Sequence, residues 1–211
     1  MNFEEDHRVI ALGAHPDDIE LGCGGFLSKL KSKKAETWYV AMSKCNNQFS
    51  EDEKDTLVKE QACAAEVLGL QNCTIHDFPN KELPEYRREI MDIFNELQGK
   101  LNPTIVLIPH IKDPHQDHST VGYCAIRTFR SGETILQYEI LRHGSATFTP
   151  NLYINITDFI DTKIKAIQCY ASQKVKRKFF DEDSYRALAR TRGTQCGYEY
   201  AEGFEIYRMY W

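Results

Sequence analysis

Short apolar runs alternate with amphipathic segments from residue 9 to residue 129, and this alternation is the strongest constraint on the fold. Four runs are predicted to be buried strands: 9–12, 37–42, 74–78 and 105–108. After each run, apolar residues recur at helical spacing. Strands and helices that alternate in this way pack as a parallel sheet with right-handed crossovers. The sequence therefore predicts an α/β fold, with a Rossmann-like, mostly parallel sheet flanked by helices.

The pattern changes after Gly132, in the C-terminal third of the chain. There we predict strands at 135–141 and 152–156, a helix at 158–170 and a last strand at 204–209. No stretch rich in Pro, Gly or Ser divides the chain, and no internal repeat is present. We therefore expect residues 1–211 to form a single domain, whose C-terminal third is an α/β addition that shapes the pocket.

The composition argues against several classes of protein. With 211 residues, 42% of them hydrophobic, the chain is long enough to bury a full core. Its formal net charge of -5 disfavours a nucleic-acid partner, because phosphate neutralisation needs a cationic surface. No apolar run approaches the roughly 18 residues of a membrane span. The acidic N-terminus also lacks the apolar stretch of a signal peptide.

Seven cysteines are scattered singly, without a C-x-x-C pair or regular spacing. This usage indicates a reducing compartment, in which the cysteines serve core packing. We therefore expect a cytoplasmic protein. The sequence leaves open whether copies of the chain assemble into a homo-oligomer.

Two polar clusters follow the first and fourth predicted strands. If these strands are neighbours in the sheet, the two loops converge on one crevice, where open α/β sheets bind ligands. The candidate residues there are His15, Asp17, Asp18, His110, Asp113, His115, Asp117 and His118. Two histidines and one carboxylate can hold a divalent metal that activates water. A second carboxylate can then accept a proton, and a spare histidine can stabilise an oxyanion or protonate a leaving group.

Each residue also has a plainer interpretation. Asp17 and Asp18 can cap the first helix and complement its dipole. His110 can be a loop residue, and Asp113, before Pro114, is a natural turn former. The occurrence of both clusters at equivalent strand ends favours a metal site. Spacing alone does not distinguish a ligand from a base among the two adjacent aspartates.

The motifs resemble those of the PIG-L/LmbE family of zinc-dependent de-N-acetylases. His15-Pro16-Asp17-Asp18 is similar to the first family motif, H-P-D-D, and His115-Gln116-Asp117-His118 to the second, H-x-D-H. Three further segments fit the family: Gly22-Cys23-Gly24-Gly25, the stretch from Lys165 to Ser172-Gln173, and Ala201-Glu202-Gly203-Phe204. The resemblance extends over nearly the whole chain.

The resemblance implies a function and a set of roles. The implied zinc ligands are His15, Asp18 and His118. Asp17 is the implied general base, and His115 the implied electrostatic or acid partner, oriented by Asp117. The substrate class implied is a small-molecule conjugate of N-acetylglucosamine, from which the N-acetyl group is removed. Zinc is the expected metal, and another divalent ion such as Fe2+ is left open.

One departure from the family concerns substrate recognition. Many relatives carry a sugar-binding arginine near the start of the second helix, where this chain has Leu57. Lys54 or Lys59 lies close in sequence, and Arg142 is a third candidate replacement. The sequence therefore does not identify the aglycone or the acyl group.

Other functions compete with this interpretation of the motifs. A hydrolase with the same metal site can act on a different N-acyl amide. A 2-His-1-carboxylate Fe(II) oxygenase is disfavoured, because such enzymes mostly use a β-sandwich barrel with ligands at H-x-D spacing. This chain alternates strands and helices, and its candidate ligands His15 and Asp18 have H-x-x-D spacing. A nucleotide-binding module needs a glycine-rich phosphate loop at the first turn. Here Asp17 and Asp18 would repel a pyrophosphate at that turn.

Overall fold

A computed structural model describes residues 7–142, 147–177 and 180–210, and within them seven strands form one sheet. The strands are β1 (Arg8–Gly13), β2 (Glu36–Ala41), β3 (Asn72–Ile75), β4 (Ile105–Pro109), β5 (Thr134–Tyr138), β6 (Leu152–Asn155) and β7 (Ala201–Arg208). Their order is β3-β2-β1-β4-β5-β7-β6. The first five strands in this order are parallel, and β7 is antiparallel to both of its neighbours, β5 and β6. The predicted mostly parallel sheet is confirmed.

Helices cover both faces of this sheet. They are α1 (Asp18–Ser32), α2 (Thr56–Leu68), α3 (Arg87–Leu101), α4 (Gln116–Thr128), α5 (Ile160–Gln168), α6 (Ala171–Lys176) and α7 (Glu182–Cys196). Alternate residues of β1 belong to different cores: Val9 and Ala11 join the core under α1, α2 and α5, whereas Ile10 and Leu12 join the core under α3 and α4. This two-sided burial explains why β1 is a continuous apolar run.

The C-terminal third extends the same sheet. Strands β7 and β6 pair next to β5, and α5 and α7 pack on the face that α1 covers. Helices α6 and α7 were not predicted from sequence. The buried face of α7 consists of Tyr185, Ala189 and Gly193, and a single large residue followed by two small ones leaves little hydrophobic periodicity.

Several predicted features differ from the structure. The strand predicted at 135–141 is Thr134–Tyr138, and the strand predicted at 204–209 is Ala201–Arg208. The third strand is Asn72–Ile75 rather than 74–78, because β3 is a half-exposed edge strand with a weak apolar signal. Phe78 lies beyond it and packs against the ring of Tyr86. The packing role expected for all seven cysteines is wrong for Cys63 and Cys169, which form a disulfide between α2 and the end of α5. A pairing across 106 residues leaves no local signature in the sequence.

Helix α1 is kinked at Cys23, where φ is -143°. The kink frees backbone donors, and the N–H groups of Gly25 and Phe26 donate to the carboxylate of Glu202 at 2.9 and 2.7 Å. Lys163 Nζ lies 2.6 Å from the same carboxylate and also donates to the carbonyl of Leu21. The buried Glu202 therefore acts as a cap for the second half of α1.

No helix in the described ranges is long and apolar enough to cross a bilayer.

Candidate metal centre

The two polar clusters converge at the carboxyl ends of β1 and β4, which are neighbours in the sheet. The first cluster lies in the turn from β1 into α1, and the second lies in the turn from β4 into α4. This placement follows from parallel pairing, since the carboxyl ends of adjacent parallel strands share one edge.

Donor atoms of three side chains meet at the centre of this crevice. His118 Nε2 lies 3.3 Å from His15 Nδ1 and 3.2 Å from Asp18 Oδ1. His15 Nδ1 lies 3.5 Å from Asp18 Oδ2. Ligands bound about 2.0–2.1 Å from a tetrahedral zinc ion lie about 3.3 Å from one another, so the donor set fits a divalent metal. All three side chains are buried.

Each of the two histidines is held from behind by a carboxylate. His15 Nε2 lies 2.9 Å from Asp117 Oδ2, and His118 Nδ1 lies 3.0 Å from Asp113 Oδ2. Such partners fix the ring orientation and raise the basicity of a ligating nitrogen. Asp117 also accepts the backbone N–H of Lys81 at 2.6 Å. Both supporting aspartates are buried.

This arrangement corrects one sequence-based assignment and extends another. The carboxylate of Asp117 contacts His15 and not His115, whereas the backbone N–H of Asp117 donates to His115 Nδ1 at 3.2 Å. Asp113 makes the turn contact expected of it, because its carboxylate accepts the N–H of His115, and it also holds the ring of His118. The sequence offered a clue to this second contact, since Asp113 lies only five residues before His118.

His115 begins α4 as its N-cap residue. Because Nδ1 accepts the N–H of Asp117, the neutral ring carries its proton on Nε2. The ring stacks on His118, with centroids 4.4 Å apart. Burial, with His118 and His15 nearby, lowers the pKa of His115 to about 4.

His115 is a second candidate for the third metal ligand, because one of its nitrogens lies within 4.8 Å of donor atoms of His15 and His118. The shorter distances to Asp18 favour Asp18 as the third ligand.

The electrostatics of the cluster suit a cation. Burial raises the pKa of Asp18, but His118 and His15 outweigh this effect and hold it well below its usual value. Burial opposes the protonated form of His118, yet Asp18 and Asp113 raise the pKa of this ring to about 10. A carboxylate that attracts protons to two adjacent imidazoles also attracts a divalent ion that takes the place of those protons.

Asp17 occupies the N-cap position of α1 but makes no side-chain cap hydrogen bond. Its φ of 106° is uncommon for a residue other than glycine. Its Oδ2 lies 3.2 Å from Nη1 of Arg177. Burial and the adjacent Asp18 raise the pKa of Asp17 to about 7. The helix-capping interpretation therefore fails for the Asp17 side chain, which faces a cavity.

That cavity measures about 310 Å³ and gives access to the candidate ligands and to Asp17 and His115. Leu57 lines it, as expected for the position of the family's arginine. Arg142 and Arg177 line it as well, whereas Lys54 and Lys59 do not. Two of the cationic side chains that line the cavity therefore belong to the C-terminal third of the chain. This position agrees with the prediction that the C-terminal third shapes the pocket.

His110 lies apart from the centre. The ring is buried, packs edge-on against Phe148, and places Nε2 3.1 Å from Glu205 Oε2. It does not line the cavity. His110 is therefore not one of the candidate ligands, in agreement with its plainer interpretation as a loop residue. Its side chain is nevertheless buried in the interior.

Comparisons with known proteins point to one family. The model of the PIG-L family, described as GlcNAc-PI de-N-acetylase, matches residues 10–129. Diacetylchitobiose deacetylase from Thermococcus kodakarensis is 27% identical to this chain over an alignment of 232 residues. The alignment covers 97% of this chain and 84% of the relative. 4-Oxalmesaconate hydratase from Pseudomonas putida is 26% identical over 160 residues, covering 68% of this chain and 58% of the relative. The solved N,N'-diacetylchitobiose deacetylase from Pyrococcus horikoshii, with its inhibitor, superposes with a TM-score of 0.80 at 27% identity, covering 95% of this chain and 83% of that one.

Proposed function

The chain belongs to the PIG-L family of GlcNAc-PI de-N-acetylases, and on this basis we propose that it is a metal-dependent hydrolase of an N-acetylated amino sugar. The substrate class is an N-acetylglucosamine-type conjugate, from which the enzyme releases acetate and a free amine. The observation that carries the proposal is the convergence of His15, Asp18 and His118 beside the carboxylate of Asp17.

We assign metal binding to His15 Nδ1, His118 Nε2 and the carboxylate of Asp18. Zinc is the proposed ion, because two imidazoles and one carboxylate with a position left for water form a typical catalytic zinc set. When bound, the metal supplies Lewis acidity that activates water and polarises the amide carbonyl. Asp117 and Asp113 hold the two rings in the ligating orientation.

The remaining residues handle protons and charge. Asp17 accepts the proton of the attacking water on its carboxylate and later returns it. His115 directs Nε2–H toward the charge that develops on the amide oxygen or on the departing nitrogen. Hydrolysis breaks the amide C–N bond, and the amine leaves with the transferred proton.

The test combines metal analysis with an amine-release screen over N-acetylglucosamine conjugates, starting with N,N'-diacetylchitobiose. We expect zinc-loaded protein to release acetate and amine in equal amounts, and a chelator to abolish the release. Asp17→Asn should retain the metal and lose about 10²- to 10⁴-fold in turnover. His118→Ala should lose the metal.

Several outcomes would contradict this assignment. Near-normal turnover by Asp17→Asn would show that another group is the base. Failure on every N-acyl sugar would refute the deacetylase activity. Hydration of an unsaturated acid, without acetate release, would instead place the activity nearer that of the hydratase relative.

A further inference from the structure

We propose that Arg177 is a positioning residue for Asp17, through which the C-terminal third acts on catalysis. This inference rests on the proposed function, which assigns proton transfer to Asp17. Arg177 Nη1 lies 3.2 Å from Asp17 Oδ2, across 160 residues of sequence. Arg177 also lines the cavity, so the pair lies where a substrate would bind.

Asp17 needs an external partner because its own helix does not hold it. At the start of α4, the N-cap residue His115 accepts a backbone N–H of its helix, and Asp181 does the same at the start of α7. The N-cap side chain of α1 makes no such bond. Among the described residues, Arg177 is the only hydrogen-bond donor to the Asp17 carboxylate. The direction of this carboxylate therefore depends on Arg177.

Arg177 is itself anchored to the rest of the fold. It follows α6 directly, and its N–H donates to the carbonyl of Gln173 at 2.8 Å. Ser172, in the first turn of α6, donates its N–H and its hydroxyl to the carboxylate of Glu60 on α2, both at 2.7 Å. The backbone of Arg177 is thus held independently of Asp17. The family-like segment Ser172-Gln173 belongs to this anchor.

The expected consequence of losing Arg177 is a catalytic defect without loss of the site. A carboxylate with no partner samples several rotamers, and a displacement of order 1 Å in a catalytic group can cost about 100-fold in rate. The metal ligands do not contact Arg177 through any described hydrogen bond, so metal content should be unchanged.

The first experiment compares Arg177→Ala, Arg177→Lys and the matched control Lys176→Ala in the metal-loaded enzyme. Lys176 is the preceding cation, is exposed, and lies over the ring of Phe49 rather than in the cavity. We expect Arg177→Ala to lower kcat by about 10- to 100-fold with KM and zinc content nearly unchanged. Arg177→Lys should be intermediate, because it keeps the charge without the planar fork. Added guanidinium ion should restore part of the activity of Arg177→Ala.

Two kinetic results would overturn the proposal. One is a rise in KM at constant kcat, which would make Arg177 a residue that binds substrate and does not act through Asp17. The other is a kcat equal to that of Lys176→Ala. In the Asp17→Asn background, Arg177→Ala should have no further effect, since its partner's function is already lost. An undiminished effect there would also refute the inference.

A second readout does not require turnover. If the wild type hydrolyses no N-acyl sugar, the proposed function fails, but the contact between Arg177 and Asp17 is still measurable by urea unfolding of the two single variants and the double variant. We expect their midpoint shifts to be non-additive, as for residues in contact. Additive shifts would show that the pair is not formed in solution and would overturn the positioning role.

Discussion

Replacement of Gly22 by alanine tests the packing that holds α1 under the site. A Cβ at Gly22 would lie 2.1 Å from Cδ2 and 2.6 Å from Cγ of Tyr138. That ring is fully buried, and its hydroxyl donates to the carbonyl of Leu12 at 2.7 Å. The ring therefore cannot move aside without losing this hydrogen bond. Gly24, two residues further along the same helix, provides a matched control, because its nearest neighbours would lie 3.6–3.9 Å from a new Cβ.

The magnitude follows from three contributions. Overpacking costs about 1–3 kcal/mol, and a displaced Tyr138 hydroxyl adds about 1 kcal/mol. Both substitutions gain up to about 1 kcal/mol of helix propensity. We therefore expect Gly22→Ala to be about 2–4 kcal/mol less stable than Gly24→Ala. With a urea m-value of about 3 kcal/mol/M, this difference separates the two midpoints by about 1 M.

The assay is urea unfolding of both variants and the wild type, monitored by circular dichroism. Coincident midpoints for Gly22→Ala and Gly24→Ala would refute the reasoning. If Gly22→Ala is destabilised while the environment of Tyr138 is unchanged, the loss of stability has a cause other than displacement of this ring.

Three further predictions concern the supports of the site. Asp117→Asn should weaken zinc binding by about 10- to 100-fold, measured by competition with a chromogenic chelator, and an unchanged affinity would contradict the role of Asp117 behind His15. Glu202→Ala leaves Lys163 buried without its partner and should cost about 3–5 kcal/mol in urea unfolding; no loss would refute the capping role of Glu202. Cys63→Ser should destabilise the oxidised protein by about 2–4 kcal/mol, through loss of the bridge to Cys169. Alkylation of all seven cysteines in unreduced, unfolded protein would instead show that this disulfide does not form.

The first half of the fold was predictable because each strand carries its own signal. Strand β1 is buried on both faces, so it is apolar at every central position, and the same holds for β4. Helix α2 ends as expected at Gly69, which adopts φ 72°. Helix α7 was missed because its buried stripe has only one large side chain, Tyr185, beside Ala189 and Gly193. Strand β3 was misplaced because an edge strand needs few apolar side chains.

The candidate ligands were also within reach of the sequence, for a local reason. Each cluster is a short loop after a buried strand, so the histidines and aspartates are adjacent in the chain and need only strand pairing to meet. The carboxylates that support the two histidines were harder to predict. Asp117 and Asp113 lie four residues apart, and only the packing of the two loops directs one to His15 and the other to His118.

The sequence by itself determined the α/β class, the location of the candidate metal centre at two strand ends and the residue types that can form it, because these features depend on periodicity and local spacing. Only the tertiary structure decided which carboxylate supports which histidine, that the Asp17 side chain leaves its helix uncapped, and that Arg177 reaches it. These contacts join residues 102, 5 and 160 positions apart. Their geometry depends on the packing of whole elements, and on the direction in which each buried side chain is forced to point.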